Sequence, residues 1–208
     1  MKRAALAAVC VLALPATALT WSATRPAGGP LTRVLTVAVT PAGGPDAVGS
    51  GFVAGPGRVV TVAHLLKRGS RIAVRSPGEP PRPARPLRID RRTDLALLAV
   101  PGLRGRSLRT DGAGEEARVL LLRDGRIVTK AARVRRHIRA HVRTAAGARP
   151  HTRPALELAA RIAAGDSGAP VLSRGGEVAG VLFARSRDHA RIAYAVDASA
   201  VDDLTVAP

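Results

Sequence analysis

Cysteine is all but missing from this chain of 208 residues: Cys10 stands alone, so the folded part can hold no internal disulfide and must be stabilised by packing. Cys10 itself reads as apolar filler, because Val9 precedes it where a lipid-attachment signal wants a small residue. Aromatic residues are nearly as scarce, with two Phe, one Trp and one Tyr. That excludes a core built on large rings and leaves no clear cofactor pocket, so no metal or organic cofactor is expected. Hydrophobic residues nevertheless make up 46% of the chain. Val, Leu, Ile and Ala must therefore fill the core, which favours many short strands. Acidic residues are outnumbered 15 to 33, leaving a formal net charge of +18, and Lys2, Lys67 and Lys130 are the only lysines. An arginine surplus of this size draws a chain toward anionic polymers or surfaces through attraction that salt screens. It points to no specific nucleic acid and says nothing about fold.

The longest hydrophobic run opens the chain. Lys2 and Arg3 precede an apolar stretch from Ala4 to Leu14, and Ala16-Thr17-Ala18 has the small residues of a cleavage pattern. Residues 1–23 read as a secretory signal, and are also just long enough to remain as a membrane anchor. A linker at 24–33 then leads into a domain at 34–208 that is secreted, or extracytoplasmic and held at the membrane.

Gly and Pro punctuate the rest of the chain. Val34 to Val39 reads as a first strand, and short apolar runs succeed it at 51–54, 58–62, 71–75, 95–100, 118–122, 126–130, 155–159, 171–173, 178–184 and 190–196. Asp124-Gly125 supplies a hairpin turn between two of them. This pattern predicts an all-β sandwich or barrel with a single helical turn near Ala63 to Leu66 and a short C-terminal helix from Ser199 to Leu204. Ser76 to Pro86 carries five prolines and reads as an exposed loop. Residues 125–156 hold eight Arg and one Lys without an acid, and Val134, Ile138 and Val142 recur every fourth position. Either an amphipathic helix or an irregular basic strand fits, and its charge makes it a solvated face or a surface for a polyanion.

Three segments carry chemistry. Gly165-Asp166-Ser167-Gly168-Ala169-Pro170 puts a serine on a glycine turn, where neighbouring N–H groups can face a developing oxyanion. Gly49 to His64 forms two apolar strands around Gly55-Pro56-Gly57 and delivers a histidine to a strand end, where its imidazole can take the serine proton. Thr93-Asp94-Leu-Ala-Leu-Leu places an acid before an apolar strand, suited to holding that imidazole in one tautomer. Asp90 is the neighbouring acid, and beside Arg91 and Arg92 it reads as an exposed ion-pair partner. The Gly-x-Ser-x-Gly elbow of α/β-hydrolases is excluded by Ala169.

Together these segments resemble the His, Asp and Ser motifs of chymotrypsin-like (trypsin-like) serine proteases, and most of all their bacterial HtrA-like branch, without a PDZ domain. The order His, Asp, Ser is the same, with separations of 30 and 73 residues. The resemblance spans roughly residues 34–200. It implies two packed six-stranded antiparallel β-barrels with the site between them. It also implies endopeptidase action on a polypeptide substrate through His64, Asp94 and Ser167, with the N–H groups of Gly165 and Ser167 as the oxyanion hole. The substrate is expected to lie along Arg161, Ala164, Leu182, Phe183, Ala184 and Arg185, pairing with the backbone of the last strand segment. An inward-pointing Arg161 or Arg185 would favour an acidic side chain. Ala169 and Val62 depart from the family pattern, where smaller residues are usual. With no Ile-Val-Gly-Gly-like start, Asp166 must find a partner other than a newly cut amino terminus. The remaining histidines, His137, His141, His151 and His189, show no metal-ligand spacing. The alternative function is a silent protease-like module that binds anionic polymers or proteins through its arginines.

Overall fold

Val34–Thr40 forms β1 of a computed structural model that describes residues 34–105, 107–142 and 151–206. The leader at 1–23 and the linker at 24–33 lie outside the described residues. After β1 come β2 (Ala47–Gly55), β3 (Arg58–Val62), a 3-10 turn at Ala63–Leu65, β4 (Arg71–Arg75), β5 (Arg82–Asp90) and β6 (Leu95–Ala99). These six strands pair in the order β1-β2-β3-β6-β5-β4 and close when β1 meets β4, with Val37 opposite Val74. Six more complete the sheet structure: β7 (Glu116–Arg123), β8 (Arg126–Val142), β9 (His151–Ala159), β10 (Pro170–Ser173), β11 (Val178–Arg185) and β12 (Ile192–Asp197). They repeat the same succession, closing where β10 meets β7. All pairs are antiparallel, and the short helix α1 (Ser199–Val206) follows the second barrel. The all-β, two-barrel architecture implied by the resemblance is the one observed.

One expectation is corrected, and one open alternative is decided. Ser76 to Pro86 is a loop only as far as Pro81, because β5 begins at Arg82 and pairs with β4 and β6. Proline is admitted since Pro83 sits near the strand start and Pro86 at a register shift, on a strand that is mostly exposed. The basic stretch from Arg126 is not a helix. It is a 17-residue strand paired to β7 on one side and β9 on the other, and a register shift at Arg135 breaks the alternation that would have identified it. Its hairpin with β7 turns on Asp124 and Gly125, both at positive φ, as a two-residue loop of this kind demands.

Burial follows the pleat. Val119, Leu121, Leu156, Leu158, Val171, Leu182, Ala193 and Ala195 fill the second barrel. A separate cluster fills the first with Leu35, Val37, Phe52, Val60 and Leu98. It continues through Val178, Val181, Phe183 and Val196 to Val201 and Leu204 of α1. The first core thus extends across the seam between barrels, so docking them buries apolar surface as each barrel does alone, at about 1.5–3 kcal/mol per large aliphatic side chain. The Leu108 N–H to Val53 carbonyl bond (3.0 Å) and the Ser50 N–H to Ser167 carbonyl bond (2.7 Å) set the register of that seam.

Candidate active site

His64 sits in the 3-10 turn that ends the buried strand β3, and one residue organises that turn. The Asp94 carbonyl accepts from Ala63 N–H (2.8 Å). Its Oδ1 accepts from His64 N–H (2.8 Å), and its Oδ2 lies 2.8 Å from His64 Nδ1. A carboxylate only accepts, so Nδ1 must donate and a neutral imidazole keeps Nε2 as an acceptor. Asp94 has φ 62°, a left-handed conformation that Asp tolerates better than most residues. The turn before it is built by Asp90, whose carboxylate accepts from Arg92 N–H (2.8 Å), Thr93 N–H (3.4 Å) and Thr93 Oγ1 (2.8 Å). Partial burial pushes the Asp90 carboxyl upward, but those hydrogen bonds and the charge of Arg88 outweigh it and hold the group below its ordinary value. Asp90 is a turn builder, not the exposed ion-pair partner expected.

Ser167 lies in the loop between β9 and β10, and almost every polar group around it is engaged. Its carbonyl accepts from Ser50 N–H, Gly168 N–H donates to the Leu182 carbonyl (2.8 Å), and Leu182 N–H donates to the Ala169 carbonyl (3.0 Å). Ser50 Oγ donates to the Gly165 carbonyl (3.0 Å). Neither Gly165 N–H nor Ser167 N–H donates to a protein acceptor among the described residues. Gly49 lets this loop approach the 3-10 turn that carries the histidine. A Cβ there would lie 2.9 Å from the Ser167 carbonyl oxygen and would overlap Leu65, the residue after His64. Only a strand without a side chain at that point lets both elements approach.

Asp166 is fully buried beneath the loop. Its carboxylate pairs with Arg123 of β7, lies 3.6 Å from Lys130 Nζ of β8, and accepts from Ala163 N–H (2.8 Å). The partner that Asp166 needs is therefore internal. Nothing in the sequence singles out Arg123 and Lys130 from the other cations, since only the closing of the barrel brings the β7–β8 hairpin to the serine loop.

The other site candidates divide by exposure. Arg161 and Ala164 are exposed on the loop, with the Arg161 carbonyl 3.4 Å from Lys130 Nζ. Leu182 is fully buried inside the second barrel, so it presents no side chain to a substrate and instead seats the serine loop through its backbone. Phe183 is buried at a register shift of β11, Ala184 is half-buried, and Arg185 is exposed on a strand that pairs with β12 on that side. A model of the trypsin-like peptidase domain matches residues 49–181, which contain His64, Asp94 and Ser167.

The chain belongs to the trypsin-like peptidase family.

It is 33% identical over 159 residues to the serine protease Rv3671c of Mycobacterium tuberculosis H37Rv, and equally to serine protease MT3772 of strain CDC 1551. The match takes in 74% of this chain but 40% of either relative, so the chain spans less than half the length of those proteins. Among solved structures, the active form of the Rv3671c protease superposes with a TM-score of 0.76 at 26% identity, covering 91% of this chain and 92% of that one. An inactive form superposes at 0.68 with 31% identity, over 81% and 86% of the two chains. The two departures from the peptidase pattern, Val62 and Ala169, are both fully buried in the packed cores. Ala169 keeps the loop's backbone bonds, with its N–H on the Asp166 carbonyl (3.0 Å).

Proposed function

We propose that this chain is a serine endopeptidase that works outside the cytoplasmic membrane, with His64, Asp94 and Ser167 as its catalytic triad and residues 34–208 as the protease domain. The observation that carries the reading is the double grip of Asp94 on His64, side chain and backbone together, beside a loop that presents Ser167. Ser167 Oγ attacks the scissile carbonyl carbon while His64 Nε2 takes its proton. The oxyanion that forms is held by the N–H groups of Gly165 and Ser167, each worth about 3 kcal/mol in such a site. His64 then returns the proton to the leaving amine, and an ester on Ser167 remains. Water, deprotonated by His64, hydrolyses that ester and regenerates the serine.

The internal pairing of Asp166 with Arg123 and Lys130 supports a serine loop that is competent without a newly cut amino terminus. The better superposition on the active form of the related protease than on its inactive form supports the same reading. Export is proposed from the signal-like residues 1–23, and the exposed arginines suit an anionic wall or lipid surface as the setting.

Residues 24–208 are expected to degrade an unfolded protein such as reduced casein, with turnover lost in Ser167→Ala. Intact casein with the wild-type chain, together with salt-sensitive binding to polyanions, would instead support the silent binding module.

A further inference from the structure

Arg153, on β9, is the one buried arginine among the described residues, at 4% exposure. A guanidinium taken out of water is heavily penalised unless charges and acceptors surround it. Its surroundings are specific. Nη1 donates to the Thr93 carbonyl (2.7 Å), Nη2 lies 3.7 Å from Asp94 Oδ2, and the guanidinium carbon sits 4.0 Å from the centre of the Phe183 ring. Burial pushes the Arg153 guanidinium below its ordinary value, while the charges of Asp94 first, and Asp90 next, oppose that shift. The strand that carries Arg153 belongs to the second barrel, whereas Thr93 and Asp94 belong to the first.

We propose that Arg153 is a positioning residue for the triad, fixing the Asp94 carboxylate and its left-handed turn from across the seam between the barrels. This rests on the peptidase reading given above. Asp94 Oδ2 already accepts from His64 Nδ1–H, and the guanidinium adds a cationic neighbour behind it. The Thr93 carbonyl, one residue earlier, pins the backbone on which Asp94 holds φ 62°. The stacked ring completes the link. Phe183 follows Leu182, whose backbone bonds seat Gly168 and Ala169, the two residues after the serine. A continuous path therefore joins the acid of one barrel to the nucleophile of the other through Thr93, Arg153, Phe183 and Leu182. Arg133, Arg135 and Arg136 are also ion-paired, but on exposed positions where such pairs hold little in place.

The test is a double-mutant cycle on the full chain, measuring kcat and KM on a peptide substrate, with circular dichroism to establish folding. Arg153→Met is expected to lower kcat about ten- to a hundredfold with KM within about twofold, since a small displacement of a catalytic group acts on turnover. Arg153→Lys, which keeps the charge but loses the planar fork, is expected to fall between the two. With Asp94→Asn already present, Arg153→Met is expected to lower kcat by less than about threefold further, because a residue that acts through Asp94 has little left to act upon. Unchanged kcat in Arg153→Met, or an equal loss in both backgrounds, would overturn the proposal and leave the peptidase reading intact. If Arg153→Met does not fold, the same cycle run with Arg153→Lys decides the matter by the same criterion. A folded wild-type chain without turnover would overturn the peptidase reading and this one with it.

Discussion

Asp94→Asn is expected to lower kcat by about four orders of magnitude while leaving folding and KM close to those of the wild type. The backbone should survive the change. Asn tolerates the left-handed φ of 62° as well as Asp does, and its amide oxygen can still accept from His64 N–H. What changes is the atom facing His64 Nδ1. An amide NH2 placed 2.8 Å from that nitrogen can only donate, so Nδ1 becomes the acceptor and the ring proton moves to Nε2. The nitrogen that should receive the Ser167 proton then carries one already. The same NH2 faces the Arg153 guanidinium, which adds a donor–donor conflict. Steady-state kinetics beside thermal unfolding check this directly, and a variant with more than about a tenth of wild-type kcat would remove Asp94 from the mechanism.

A second large effect is expected from one methyl group. Gly168→Ala should destabilise the chain by about 4 kcal/mol or more, among the largest losses a single substitution produces. Gly168 has φ +89°, and a Cβ there would overlap the Ser50 carbonyl oxygen and lie 2.7 Å from Thr61 Oγ1. Those atoms have no freedom to retreat. Thr61 Oγ1 donates to the Ser50 carbonyl at 2.7 Å in a fully buried position, and Ser50 N–H is committed to the Ser167 carbonyl. Relief must come from the serine loop itself, so whatever folds should have lost its activity. Gly112→Ala, where a Cβ meets nothing within 4 Å, is the control and should be neutral in chemical denaturation. A Gly168→Ala chain as stable as the control would show that the loop is not held as described.

Much of this arrangement is legible in the sequence because the chemistry is carried by short local signals. The Gly55-Pro56-Gly57 turn, the histidine at a strand end and the acid before an apolar run each read correctly as local structure, and the strands at 58–62 and 71–75 begin and end where the composition places them. The readings that fail or stay open are those where tertiary context decides. Pro83 and Pro86 argue against a strand, yet β5 accepts them because few of its side chains need to be buried and a bulge absorbs one of them. Val134, Ile138 and Val142 at every fourth position imitate a helix, and the register shift at Arg135 removes the alternation that would have corrected this.

The least legible residues are those that join the barrels. Gly49, Ser50 and Thr61 look like ordinary strand residues, and Arg153 is one of eight arginines in a stretch without an acid. No local pattern marks out the guanidinium that is buried against Asp94. Its role depends on β9 of one barrel meeting the Thr93–Asp94 turn of the other, a contact between residues 59 positions apart. Asp166 visibly needs a partner, but which one it finds depends on closing a barrel between β7 and β10.

The central claim, that Ser167 is an activated nucleophile, is tested most directly by treating purified residues 24–208 with a fluorophosphonate probe and locating the adduct by peptide mass spectrometry. One equivalent of label on Ser167, absent in Ser167→Ala and strongly reduced in Asp94→Asn, is the predicted result. A folded wild-type chain that takes up no label, or takes it up on another serine, would contradict the account.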